Sequence, residues 1–249
     1  AILLLIIAGL GQVIVHGSAN KGIIQWFPPT RRGLAVGIKQ AAVSAGSMLA
    51  ALVLPPIGST WGWKAAIIGT AAVIGLLSVM AFAFYRDPAA TPNGGSNSFS
   101  EARRLLANKA MLILGAYAFL MGGVQMSATS YLVLYLNSEL HYNVIIAGTY
   151  LAMLDFWGVA ARIGWGSISD RWFLGRREKL LQLIAIISVV GTVALSTTHP
   201  GSSPVVVVLA IALLGISAVG FHGVWMTLAS EIGSEVAAAT ATGISLTMG

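Results

Sequence analysis

Residues 164–179 read GWGSISDRWFLGRREK, and they set six charged side chains between one apolar run and the next. Charge is scarce elsewhere: 9% of the 249 residues are charged, 57% are hydrophobic, and the mean hydropathy is +0.84. A water-soluble domain needs far more polar surface than that. The apolar residues fall in blocks of roughly 20 or more, the length that crosses a hydrocarbon core of about 30 Å. The charged stretch therefore sits at a membrane edge, between two spans. A lone strand cannot satisfy its backbone in lipid, and the blocks are too long and too uniform for barrel strands. The expected fold class is all-α, a polytopic helical membrane protein.

Working outward, apolar blocks place spans near 1–26, 34–57, 63–84, 109–136, 144–168, 178–197 and 203–228, with an eighth from about 236. The 29 glycines suit close helix packing in lipid. The stretch 85–108, YRDPAATPNGGSNSFSEARRLLAN, is rich in Pro, Gly, Asn and Ser. It reads as a linker carrying one short surface helix, SFSEARRLLAN, opened by a Ser cap and an early Glu. The expected division is three spans in 1–84, a cytoplasmic linker at 85–108, and four spans with the start of a fifth in 109–249. The chain begins with Ala1 inside an apolar run and stops at Gly249 inside another, which reads as a fragment.

Basic residues set the orientation. Arg31 and Arg32, then Arg86, Arg103, Arg104 and Lys109, then Arg171, Arg176, Arg177 and Lys179 all follow odd-numbered spans, while the opposite connections hold Lys64. By the positive-inside rule the first set is cytoplasmic and Ala1 starts outside, in the cytoplasmic (inner) membrane. The net charge of +6 is thus a topology signal and calls for no nucleic acid. With no cysteine, disulfides and thiolate metal sites drop out, and no cofactor or metal is expected.

Sliding the chain against itself by 206 residues pairs Gly9 with Gly215, His16 with His222, Gly17 with Gly223 and Gly37 with Gly243. The chain has four histidines, so the His-Gly pairs point to an internal repeat, as found in transporters built from related halves.

Gly166, Asp170, Arg171, Gly175, Arg176 and Arg177, on a cytoplasmic connection, resemble the G-x-x-x-D-R-x-G-R-R signature of the major facilitator superfamily. WFPPTRRGLAVGIKQ (26–40), followed by LPPIG and GWK, resembles that superfamily's fourth-to-sixth span region, and ARIGWGSISDR (161–171) resembles the end of its eighth span. The resemblance covers the chain as spans four to eleven of twelve and implies an incomplete two-bundle architecture, monomeric when complete. Two departures stand out. Trp172, Phe173 and Leu174 occupy a place where the pattern has one residue, and Leu5 stands where proton-coupled members carry a fourth-span Arg. The fifth-span VSAGSMLAALVLPP also lacks the Gly-Pro pattern of drug antiporters.

Physically, Gly166 lets backbones approach, and Asp170 at the membrane edge accepts from Arg side chains or from the N–H groups of a neighbouring helix start. Contacts of that kind form in one state only and so bias alternating access. The plain alternative, topology and anionic lipid alone, covers Arg171, Arg176, Arg177 and Lys179 but leaves Gly166 and Asp170 without a reason. Arg162 precedes the signature Gly and completes the expected gate group.

Polar groups at membrane depth are costly and mark function or a partner. His16, Asn20, Gln125, Tyr131, His222 and Trp225 are expected to bind substrate, since the first, fourth and seventh segments resemble the cavity-lining spans of the superfamily. Lys39 and Asp155 are the intramembrane charges: Asp155 carries a proton, neutralises a cation, or pairs with Lys39. The two histidines either face each other across a cavity or each pack against a neighbouring helix. Basic and protonatable groups outnumber the carboxylate, so the expected substrate is a small organic anion such as a carboxylate, with a proton or sodium ion as the open coupling partner. A drug or cation efflux carrier of the same superfamily and an inactive truncated transporter are the alternatives. An enzyme is not expected: there is no HExxH, no paired intramembrane aspartates, and no serine-protease context around GSIS.

Overall fold

A computed structural model of the chain describes residues 19–84, 98–174 and 176–248. Regular structure among these residues is helical throughout. Residues 19–26 form α1. Then come α2 (Pro29–Trp61), α3 (Trp63–Phe84), the short α4 (Ser98–Leu106), α5 (Lys109–Ser138), α6 (Val144–Trp172) and α7 (Arg177–Ser196). α8 (Pro204–Leu214) runs through a π-helical turn at Gly215–Val219 towards α9 (His222–Ile232), and α10 (Ser234–Met248) follows. The expected spans from 34–57 onward fall on these helices, and of the expected first span residues 1–18 lie outside the described residues. Among the described residues, four stretches are long and apolar enough to cross a membrane: Trp63–Phe84, Lys109–Ser138, Arg177–Ser196 and Pro204–Ile232.

The chain divides into two compact units, one taking the sequence up to Ala41 and again from Pro92, the other Ala42–Thr91. In the smaller unit the end of α2 meets α3 at Gly62, whose φ of 82° is a left-handed conformation that glycine alone adopts without strain. None of the residues of α3 is buried, and large apolar side chains such as Leu76 and Phe82 point outward. A helix of this length that is apolar on every side suits a membrane span. At its start the Lys64 ammonium lies 5.8 Å from the centre of the Trp63 ring, an aromatic and a cation at the interface level.

The larger unit packs around two main apolar clusters and a smaller third one. One brings Val36 of α2 together with Leu114 of α5, Leu180 and Ile184 of α7 and Val224 of α9; the other joins Leu136 of α5, Leu154 of α6 and Ile211 of α8. Tyr117 and Tyr135 on α5 donate to the carbonyls of Leu181 and Leu195 on α7, each at 3.1 Å. The surface helix expected from SFSEARRLLAN is α4. Leu105 turns in against Met111 and Ala241, Arg103 and Arg104 are exposed, and Asn108 caps α5 by accepting from the Ala110 N–H at 2.9 Å.

The seventh span differs from a plain helix. The π turn at Gly215–Val219 shifts the backbone register, and α6 side chains take up carbonyls there: Trp165 Nε1 donates to Ile216 O at 2.6 Å and Arg162 Nε to Val219 O at 3.0 Å. Glycines permit the approach. A Cβ on Gly215 would lie 2.5 Å from the Leu154 carbonyl oxygen, and one on Gly158 would strike the Val219 side chain.

Candidate functional site

The end of α6 lies against the first turns of α2 with almost nothing between the backbones. A Cβ on Gly166 would overlap the carbonyl oxygen of Gly33, and one on Gly33 would sit 2.8 Å from the carbonyl oxygen of Gly166. One turn further along, Gly37 faces the Arg162 carbonyl in the same way. This closeness brings the Asp170 carboxylate to the start of α2. Its Oδ1 accepts the Gly33 N–H at 2.9 Å and its Oδ2 the Leu34 N–H at 2.8 Å. The carboxylate thereby meets the positive end of a helix dipole.

Asp170 is 7% exposed, so its charge needs more than amides. Arg177, 1% exposed at the start of α7, supplies it: Nη2 donates to Asp170 Oδ1 at 3.0 Å and to the Pro29 carbonyl at 3.2 Å, Nη1 to Ser169 Oγ, and Nε to the Glu231 carboxylate at 3.0 Å. One guanidinium therefore ties α7 to α2, α6 and α9. The fork geometry that matches carboxylates is particular to arginine. Arg162, 6% exposed, adds a fourth tie by donating through Nη1 to the Gln40 carbonyl of α2 at 2.9 Å.

The structure thus brings together Arg162, Gly166, Asp170 and Arg177 of the expected gate. Arg171 and Arg176 are exposed beside it, and Gly175 lies outside the described residues. Ser169, Glu231, Gly33 and Gly37 were not anticipated. The last two had a signal, the small-xxx-small spacing of Gly33 and Gly37. Glu231 had none, being one acidic residue at a span end.

The expected substrate residues are scattered by comparison. His16 lies outside the described residues. Asn20 is fully buried, accepts from Lys39 Nζ at 2.7 Å through Oδ1, and donates to Thr242 Oγ1 at 3.4 Å. Thr242 in turn lies 3.0 Å from Ser230 Oγ, giving a buried polar chain from α2 through α1 to α10 and α9. His222 and Trp225 share an aromatic group with Phe221, at centroid separations of 4.3 Å for Phe221–His222 and 5.9 Å for His222–Trp225. Trp225 is buried and its indole N–H has no hydrogen-bond partner among the described residues. Gln125 and Asp155 are half-buried, on α5 and α6. Tyr131 is 64% exposed and lines a groove between α5 and α7, away from the Asn20 chain.

The family description Major Facilitator Superfamily matches residues 1–249. The chain belongs to the major facilitator superfamily. Uncharacterised MFS-type transporters from two strains of Mycobacterium tuberculosis are both 28% identical to it, over 244 residues (96% of this chain, 53% of the relative) and over 213 residues (84% and 46%). A hexuronate transporter of Bacillus subtilis is 26% identical over 83 residues, 33% of this chain and 19% of that protein. The chain spans about half the length of the relatives it matches most fully. As a major facilitator protein with several apolar spans it is an integral, multi-pass membrane protein of a transporter family.

Proposed function

We propose that this chain forms part of a secondary carrier that moves a small organic anion, such as a carboxylate, across the cytoplasmic membrane by alternating access. The observation that carries the reading is the clasp in which Asp170 holds the start of α2 while Arg177 holds Asp170, Pro29 and Glu231. In this reading residues 1–84 belong to one bundle and 109–249 to the other, with 85–108 as the cytoplasmic linker. The clasp then joins the bundles on the cytoplasmic side and must part for the carrier to open inward.

Support for an anion comes from the cationic side chains at span depth, Lys39 and Arg162, and from the name of the hexuronate transporter that part of the chain resembles. Asn20, Gln125, His222 and Trp225 are the residues proposed to meet the solute, with His16 and Tyr131 completing the set named from sequence. Asp155 is the carboxylate proposed for coupling to a proton or a sodium ion.

The test uses the complete carrier in detergent, scanned for thermal stabilisation against a panel of carboxylates and a panel of amines. Stabilisation by carboxylates supports the anion reading. Stabilisation by amines alone overturns it in favour of a cation carrier.

A further inference from the structure

The clasp has a second face. Beside it, the start of α2 and the ends of α1 and α6 line an open cavity of about 500 Å³. Two guanidiniums line it, Arg31 from the first turn of α2 and Arg171 from the last turn of α6. Both side chains are exposed, and neither guanidinium forms a hydrogen bond or ion pair with a described residue. The contrast with the neighbouring arginines is sharp: Arg32 donates to the carbonyls of Ile24 and Phe27, and Arg177 donates to Asp170, Glu231, Ser169 and the Pro29 carbonyl. Asp170 also borders the cavity, but its oxygens are engaged by Gly33, Leu34 and Arg177, so the uncompensated charge in this place is positive.

Thr30 and Ser167 add hydroxyls near the arginines, and the remaining wall is apolar, formed chiefly by Ile23 and Phe27 of the α1 end and Leu34 and Ile38 of α2. Arg31 and Ile38 are seven residues apart on one helix, about 10 Å at helical rise. The cavity is thus cationic at the helix ends and apolar for about 10 Å below them. A soluble anion would use only the cationic rim. A molecule with an anionic head and a hydrocarbon tail would use the whole cavity.

We infer that this cavity is a binding site for an anionic phospholipid of the cytoplasmic leaflet, with the phosphate between Arg31 and Arg171 and an acyl chain along Ile23, Phe27, Leu34 and Ile38. The site deepens the gate reading and rests on it for its consequence. Arg31 is two residues from Gly33 and Arg171 is next to Asp170, so a phosphate bridging the guanidiniums spans the same two helices as the clasp and favours its closed form.

The experiment reads thermal stability of the complete carrier in phosphatidylcholine vesicles with and without phosphatidylglycerol, and in phosphatidylcholine with inorganic phosphate. The expected result is a rise in Tm with phosphatidylglycerol that the double variant Arg31→Gln, Arg171→Gln loses for the most part. The charge-preserving pair Arg31→Lys, Arg171→Lys keeps most of the rise, and so does Arg103→Gln, Arg104→Gln, whose charges lie on α4. If the double glutamine variant does not fold, each single glutamine variant serves and loses about half of the rise. An equal rise in wild type and glutamine variants overturns the site. A rise of the same size from inorganic phosphate overturns the lipid as its occupant. The readout is stability, so failure of the gate reading leaves this result interpretable.

Discussion

The carboxylate of Asp170 accepts the backbone N–H of Gly33 at 2.9 Å, across 137 residues of sequence. A side chain here binds the main chain of another helix, so on α2 the contact needs the free N–H groups and the absence of a side chain at Gly33. Asp170→Asn keeps one acceptor oxygen and loses the charge. Hydrogen bonds to a charged group are worth about 1.5–3 kcal/mol, so the closed clasp should weaken by about 2 kcal/mol, roughly a 30-fold change in the equilibrium. The chain has no cysteine, and Ser230, fully buried near the end of α9, offers a place for a reporter thiol. Alkylation of Ser230→Cys from the cytoplasmic side should rise about 30-fold in the Asp170→Asn background. An unchanged rate would remove Asp170 from the gate.

Gly166 and Gly164 are two residues apart on α6 and have opposite surroundings. A Cβ on Gly166 runs into the main chain of Gly33, whereas one on Gly164 meets nothing within 4 Å. Backbone cannot swing aside as a long side chain can, so Gly166→Ala should cost about 1–3 kcal/mol of the α2–α6 contact. Gly164→Ala should cost nothing and gain up to about 1 kcal/mol of helix stability. The same alkylation assay, with a thermal melt beside it, separates the two. Equal effects would mean that the helices do not meet at Gly166.

The sequence carried the membrane architecture because the hydrophobic requirement of a span is one-dimensional: a block of apolar residues is long enough or it is not. Asp170 and Gly166 were legible for a related reason, since a charge and a glycine in a pattern at a span end have few other uses. The π turn was not legible, because GISAV at 215–219 is ordinary helix-forming sequence and the turn comes from how α6 packs there. Glu231 was equally silent, its role set by Arg177 reaching it from another helix. Lys39 shows the limit from the other direction: its charge marked it as functional, but its partner Asn20 could only be found in space.

Arg177 holds three helices through one planar group, and this makes its replacement by lysine severe. A lysine ammonium is a compact charge on a flexible stem and cannot reach Asp170, Glu231, Ser169 and the Pro29 carbonyl together. Arg177→Lys should therefore destabilise the closed clasp by about 3 kcal/mol or more, since it leaves buried carboxylate and carbonyl groups short of donors. Glu231→Gln should cost less, because the Glu231 side chain is 25% exposed and water replaces part of what it loses. Asp170→Asn and Glu231→Gln share Arg177, so their effects should differ from a sum by about 0.5–3 kcal/mol in a double-mutant cycle. Strict additivity would show that Arg177 does not couple them.

Asn20 tests whether the buried polar chain holds the helices or holds the solute. Its Oδ1 accepts from Lys39 at 2.7 Å, a short contact with a charged donor, while its Nδ2 reaches Thr242 at a longer 3.4 Å. Asn20→Ala should cost about 1.5–3 kcal/mol of stability through the first contact. Thr242→Val, which deletes only the hydroxyl and keeps the volume, should cost about 1 kcal/mol. The ligand response separates the two roles, because a residue that meets the solute contributes to stabilisation by carboxylates and a packing residue does not. The expected outcome is that Asn20→Ala loses the carboxylate-induced rise in Tm and Thr242→Val retains it. If both variants melt lower and both keep the full rise, Asn20 is a structural link between α1, α2 and α10.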